Sequence, residues 1–328
     1  MKTFNFSFIL VAALVLDLGV IAQAQQPTKI PRIGFLGATS MTAVSDRVKA
    51  FQQGLRELGY VEQKSIFVEY RWADGKLDRL PELAADLVRL KVDIIVTAGP
   101  KQTPIVKDAT SSIPIVMAFD NDPVGTGVVE SLARPGGNVT GLSTLAPEIS
   151  GKRLELLKEI VPRLSRVAVL GHSTEPGDAQ MLRQAADTAT MLKVTLQYLD
   201  IRDPKDIEIK FRDASNWRAE AVLALTNPIA TERRTQIINL AAKNRLPAIY
   251  DRAEFVHDGG LMTYGVNSTD LFRRAATYVD KILKGANPGE LPVEQPMKFD
   301  LVINLKTAKQ IGLTIPQSVL YRADKVIK

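Results

Sequence analysis

RIGFLGATS (Arg32–Ser40) and RVAVLGHST (Arg166–Thr174) are one phrase written twice: an Arg, a run of apolar residues, a Gly or its neighbour, then small polar residues. An apolar run without alternation suits a strand covered on both faces. Small hydroxyl residues after it suit the turn into a helix. The echo continues in the same order. DIIVTAGP, ending at Pro100, is answered by AVLALTNP, ending at Pro228, and IPIV at Ile113 by LPAI at Leu246. The offset is about 130 residues throughout, and self-similarity at a fixed offset marks a duplicated unit.

Working outward, strand-like runs occur at Ile30–Leu36, Ser65–Arg71, Asp93–Thr97 and Ile113–Phe119. Amphipathic helical patterns separate them. From Val44 to Leu58, for example, Val48, Phe51, Leu55 and Leu58 recur at three-to-four spacing before Gly59 stops the pattern. Strands alternating with helices predict parallel sheets with helices on both faces. Each half exceeds 100 residues and so is long enough to bury its own core. The predicted fold class is therefore α/β: two Rossmann-like lobes with parallel sheets, joined by a multi-strand hinge. A tail from Ser268 is expected to carry a helix through Leu283, a turn-rich stretch from Gly285 to Pro296, and a last strand and helix from Lys298 to Ile311, crossing back between the lobes. The expected division is a leader at 1–24, a first lobe of 25–142 plus 266–292, and a second of 143–265 plus 293–328.

The leader expectation rests on Lys2, the apolar run Phe8–Ala22 and the small-x-small site Ala22-Gln23-Ala24. The run is interrupted by Asp17 and is shorter than the ~20 residues of a spanning helix, so cleavage near Ala24 is expected rather than a retained anchor. The chain of 328 residues has no cysteine, which excludes disulfides, thiolate chemistry and the lipidated cysteine of a tethered lipoprotein. These features point to a soluble periplasmic protein. The net charge of +6 is spread along the chain in short doublets such as Arg233-Arg234 and Arg273-Arg274. Nucleic-acid surfaces need a basic stripe, so no nucleic-acid partner is expected.

Ligands of open parallel sheets bind beyond the carboxyl ends of the strands. In the first half those ends offer Thr39, Ser40 and Met41, then Ala98 and Gly99, then Asp120 and Asn121. The second half offers His172 and Ser173, then Thr226 and Asn227, then Tyr250 and Asp251, with Tyr264 nearby. Small hydroxyls, glycines and amides at helix starts favour an anionic group such as a carboxylate. The same residue types are ordinary helix caps, and their recurrence at several strand ends is what singles them out. Asp120, Asp122 and Asp251 are candidates to pair with a ligand amine. Asp122-Pro123 reads as a turn, which favours Asp120. Trp72, Phe119, Tyr250 and Tyr264 are candidates for an apolar wall or for core packing.

Catalytic motifs come up short. Gly125-Thr-Gly127-Val-Val-Glu130 lacks the last glycine of the dinucleotide fingerprint, and neither a phosphate loop nor a G-x-S-x-G elbow occurs. His172 and His257 are the only histidines, and neither lies in an H-E-x-x-H pattern, so no metal site and no cofactor are expected.

Several strings have a familiar form: SLARPGGNVTGLS (Ser131–Ser143), GKRLELLKEIVP (Gly151–Pro162), LFRRAATYVDKILKGANPGELPVEQPMKFDLVINLKTAKQIGLTIP (Leu271–Pro316) and YRADKVI from Tyr321. From about Ile30 to its end the chain resembles the substrate-binding proteins of ABC importers, in the subgroup of tryptophan or aromatic-amino-acid type, with a type I periplasmic-binding fold. At His172 it departs from relatives that carry Asn. The resemblance implies a non-enzymatic protein, expected to be a monomer, that closes its lobes over a small molecule. An amino acid, aromatic favoured, or a small carboxylate would be the cargo, delivered to an ABC permease and its ATPase subunits. An exported sensor partner and an exported hydrolase remain as alternatives. A repressor of the same fold class would need an N-terminal helix-turn-helix where the leader stands.

Overall fold

The computed structural model describes residues 29–328; the expected leader and its cleavage point lie outside the described residues. The first half forms strands β1 (Arg32–Gly37), β2 (Phe67–Trp72), β3 (Ile94–Thr97), β4 (Ile115–Asp120) and β5 (Val139–Ser143). They lie in the order β2-β1-β3-β4-β5, every neighbouring pair parallel. The second half forms β6 (Arg166–Gly171), β7 (Thr195–Asp200), β8 (Ala221–Ala224), β9 (Ala248–Tyr250) and β10 (Met262–Gly265), wound in the corresponding order β7-β6-β8-β9-β10. The repeated phrases are thus β1 and β6, the strand in each lobe that lies second from the same edge. Both have buried interiors because helices cover both faces of each sheet.

On the first sheet, helices Ser45–Glu57 and Ser268–Leu283 cover one face around Phe35, Phe51 and Phe272, while Leu80–Arg89 contributes Leu80, Ala84 and Leu87 to the other. The expected helix from Val44 begins as a 3-10 turn at Thr42–Val44 and ends at Glu57, with Gly59 taking a left-handed φ of 90°. A glycine inside that helix, Gly54, costs about 1 kcal/mol in propensity. Packing explains it: a Cβ there would meet the Arg273 carbonyl and stand 2.9 Å from the Ala276 Cβ. The helix from the tail therefore belongs to the first lobe.

In the second lobe, helices Ala146–Ile160 and Asp178–Leu192 cover one face, and Asp206–Asn216 with Arg234–Lys243 the other. Two more strands extend this sheet past β10: β11 (Asp300–Asn304), antiparallel to β10, and β12 (Lys325–Ile327), parallel to β11. The antiparallel strand departs from the parallel expectation for a geometric reason. Gly265, the carboxyl end of β10, pairs with Asp300, the first residue of β11. A chain returning from the other lobe enters at the carboxyl ends of the strands and must run backwards along them.

The chain crosses between lobes after β5, after β10 and before β11. Two of these crossings run side by side: Glu294 N–H donates to the Gly141 carbonyl and Ser143 N–H to the Glu294 carbonyl, both at 2.9 Å. Arg274, in the helix that follows the remaining crossing, pairs with Glu294.

Candidate ligand-binding site

The carboxyl ends of the two sheets face each other across a cleft, with the lobes in contact. Ser40 N–H and Oγ–H donate to Glu232 at 2.8 and 2.9 Å, and Arg47 Nε donates to Glu254 at 2.6 Å. Lys101 Nζ donates to the Thr174 carbonyl at 2.6 Å, and Arg234 to the Ala43 carbonyl at 2.9 Å. Each of these bonds joins one lobe to the other.

Between the strand ends lie two small cavities. One, of about 30 Å³, is lined by Thr39, Ala98 and Gly99 of the first lobe, with Arg47 and Gln102, and by Glu175, Thr226 and Arg252 of the second. The other, of about 10 Å³, is lined by Asn121, Thr144, Arg153, Thr226, Asp251 and Arg252. A cavity that holds benzene measures about 150 Å³, so neither has room for a ligand with a ring as the lobes stand. Larger hollows lie at the margins, including one of about 490 Å³ between Asp74–Asp78 and Arg202–Pro204. Its walls are mostly exposed loop residues with Ile229 and Glu232 of helix Pro228–Glu232, whereas the strand-end cavities collect the buried polar atoms that lack partners.

Those atoms define the site. Among the described residues, Asp120 Oδ2, Asn121 Nδ2, both Glu175 carboxylate oxygens, Asp251 Oδ2, one Arg47 nitrogen, one Arg153 nitrogen and Arg252 Nε are buried without a hydrogen bond. Arg252 Nε and Asp251 Oδ2 stand 3.0 Å apart, close in charge but poorly aligned for a hydrogen bond. A buried polar group left unpaired costs about 1–3 kcal/mol, more if charged. A concentration of them at one place implies a missing partner.

The electrostatics follow from burial. It pushes Asp120 up to about 7. It also pushes Glu175 up, to about 8, with Lys101 opposing and Asp120 and Asp178 reinforcing the shift. Arg153 is brought down to about 10 by burial, with Asp251 opposing. At Glu254 burial works upward, but the Arg47 and Arg252 guanidiniums outweigh it and hold the carboxyl at about 2. Arg252 also lies 4.3 Å from the centroid of the Phe119 ring, a cation–π contact that covers this aromatic face.

Of the residues singled out from the sequence, Thr39, Ala98, Gly99, Asn121, Thr226 and Asp251 line the cavities. Asp120 lies fully buried beside Asn121. Ser40 is an interlobe contact, and Met41 is largely exposed. His172 is buried, its Nδ1 3.3 Å from Thr174 Oγ1, and Ser173 is tied to Asp200 at the surface. Asn227 spends its side chain on structure: it accepts from the Ile229 and Ala230 N–H groups and donates to the Gly171 and Ile201 carbonyls. Tyr250 stacks on Phe255 within the second lobe, and Tyr264 packs against Phe299. Asp122 accepts from Gly125 N–H at 2.9 Å, the expected turn.

Arg47, Arg153, Arg252, Glu175 and Gln102 were not singled out. Arg252 directly follows Tyr250-Asp251, so that strand end carried the signal. Arg47 and Arg153 carry a different one: each interrupts the buried stripe of its helix, between Val44 and Val48 and between Ile149 and Leu156. A cation in a core-facing position needs a buried partner.

Two α/β lobes of like topology, meeting at their strand ends over buried and unsatisfied polar groups, define a binding protein of the type I periplasmic class. Residues 32–327 match the ABC transporter substrate binding protein family, and the chain belongs to it. That family and the solved neighbours are solute-binding proteins rather than enzymes. The tyrosine-binding protein of Clostridioides difficile is 23% identical over 285 residues, covering 87% of this chain and 82% of that protein. Among solved structures, a conserved domain protein from Vibrio cholerae has a TM-score of 0.86 at 27% identity, covering 91% of this chain and 100% of that one. An ABC domain from Streptococcus pneumonia in complex with L-Trp has a TM-score of 0.84 at 25% identity, covering 90% and 99%.

Proposed function

We propose that this protein captures an amino acid, aromatic favoured, or else a small carboxylate, in the interlobe cleft by closing its lobes. It then presents the closed form to the permease and ATPase subunits of an ABC importer. Capture would take place in the periplasm, by a monomer freed of its leader near Ala24. The observation that carries the reading is the set of buried, unpartnered groups of both charges at the strand ends, Asp120 and Glu175 on one side of the balance and Arg153 and Arg252 on the other. A molecule with a carboxylate and an ammonium supplies partners for both. The tyrosine and L-Trp named for relatives support this chemistry. Neither cavity has an aromatic ring in its wall, so support for an aromatic side chain comes from those relatives. The paired crossings at Gly141–Ser143 and Glu294 would serve as the hinge, with the lobes divided at 25–142 plus 266–292 and 143–265 plus 293–328.

Thermal-shift and calorimetric titration of residues 25–328 with the common amino acids and small carboxylates tests the reading. A true ligand at a hundred times its Kd stabilises the protein by about 2.7 kcal/mol. Failure of every compound in the panel to raise the Tm would overturn it.

A further inference from the structure

In the cleft the cations have company and two anions do not. Arg47 holds Glu254, Arg252 stands beside Asp251 and over Phe119, and Arg153 donates to the Tyr264 and Asp251 carbonyls at 2.7 and 3.3 Å. Asp120 is fully buried; its Oδ1 accepts the Asp122 N–H at 3.1 Å and its Oδ2 accepts nothing. Glu175 is 4% exposed with neither oxygen hydrogen-bonded, and it faces the strand-end cavity. The two come from opposite lobes, Asp120 from the end of β4 and Glu175 from the loop after β6. The loops that carry them touch: a Cβ on Gly177 would stand 3.2 Å from that of Asn121. An unpaired buried carboxylate is a large penalty, and the charge on Asp120 adds to it at Glu175.

We propose that Asp120 and Glu175 form a split subsite for one cationic group of the ligand, an ammonium or amidinium, which is complete only when the lobes are closed. This rests on the cleft being the ligand site. It makes closure conditional on an amine: a carboxylate without one leaves both anions buried and opposed. Nearby cations do not fill the place. Lys101 donates to the Thr174 carbonyl, and burial, with Lys101 next, holds His172 below its ordinary value and hence neutral at pH 7.

Without ligand, protons take the part of the amine. The charged groups near the pair are Asp122 beside Asp120, and Lys101, Asp178 and Arg252 around Glu175, whose N–H donates to the carbonyl of the titratable His172. In the closed form Asp120 titrates at about 7 and Glu175 at about 8. In an open, hydrated cleft both return toward about 4. The closed form therefore binds more protons between those values, so ligand-free closure gains as pH falls from about 8 toward 4 and is lost as pH rises. Amine binding has the opposite sign, since it needs the carboxylates ionised.

Two measurements on residues 25–328, with Asp120→Asn and Glu175→Gln variants, test this. Small-angle scattering of the ligand-free protein should show a smaller radius of gyration at about pH 5 than at about pH 9, and a weaker pH response in each variant. Calorimetry should show L-tyrosine and L-tryptophan binding at least about tenfold more tightly than 3-(4-hydroxyphenyl)propionate and indole-3-propionate, a preference that both variants lose. An amine preference that survives in the variants, or des-amino compounds that bind as well as the amino acids, overturns the subsite. If none of the four compounds binds, the amino-acid reading fails, and the scattering still decides the pair: identical pH profiles in wild type and variants overturn it.

Discussion

Arg153 shows how one residue ties the cleft to the core. Its helix would be more easily packed with a leucine at this position, yet the guanidinium is fully buried and spans the ends of β9 and β10 through the Asp251 and Tyr264 carbonyls. Arg153→Ala is expected to cost about 3–5 kcal/mol in urea denaturation, because two carbonyls lose their donor and a void opens. Arg153→Lys should recover little, since an ammonium cannot reproduce the fork. Asn227 gives a second expectation. Asn227→Ala removes a cap, leaves the Ile201 carbonyl without its donor and takes from Gly171 one of two, its carbonyl keeping the Ile201 N–H, a loss of about 2–3 kcal/mol by the same measurement. Sequence reasoning placed both Asn227 and Thr226 at a strand end but had no means of separating them. Whether an amide faces inward to a cap or outward to a cavity depends on the turn, and only the coordinates resolve Asn227 into the cap and Thr226 into the cavity wall. The arginines escaped for another reason. Ligand contacts of parallel sheets are expected at strand ends, while Arg47 and Arg153 reach the cleft from helix faces whose other members are mostly apolar.

At the scale of the elements, the duplicated phrases were sufficient to read two similar lobes with parallel sheets, because fully apolar strands followed by small polar turns suit strands covered on both faces, while the order of the strands within each sheet depends on contacts distant in the chain. Less was legible beyond Lys298. The strand at Asp300–Asn304 was expected, but its direction depends on where the chain re-enters the second lobe, and Lys325–Ile327 is too short to carry a periodic signal. Gly141 is an element-scale constraint that composition alone does not disclose. It has φ 137°, and a Cβ there would lie 2.6 Å from the Met117 nitrogen and closer still to its carbonyl, beside the register shift between β4 and β5. Gly141→Ala should destabilise the first lobe by about 3 kcal/mol or more, measured by thermal and denaturant unfolding, since backbone cannot yield as a side chain would. The same change would disturb the paired crossing, because the Gly141 carbonyl accepts from Glu294 N–H.

For the whole molecule, the proposed closure would be an equilibrium biased by contacts that exist only when the lobes meet. Arg47 and Glu254 form one such contact, with the Arg47 side chain 4% exposed. Glu254→Gln leaves Arg47 buried without its anion and should disfavour the closed form by about 3–5 kcal/mol, seen as weakened ligand affinity and a larger radius of gyration. Here the pH dependence has the depressed-carboxylate sign. Glu254 sits at about 2 when closed and near its ordinary value of 4.5 when open, so its contribution is present above about 4.5 and fades as pH falls toward 2. Replacing Gly177, which has φ 84° and abuts Asn121 of the other lobe, by Val should also hinder closure, leaving ligand binding at least about tenfold weaker in a calorimetric titration.

The placement of helix Ser268–Leu283 bears on how the chain acquires its shape. That helix supplies Leu271, Phe272, Ala275, Ala276 and Val279 to the core of the first lobe, although the strands it covers end at Ser143. A polypeptide emerging from its amino end, whether from a ribosome or through a translocation channel, therefore presents the first sheet with one apolar face covered only in part, by helix Ser45–Glu57, until the last sixth or so of its length is all that remains behind. Throughout that interval the early half is held short of a finished domain, which keeps a chain destined for export threadable and makes it dependent on whatever shields its apolar surface in transit.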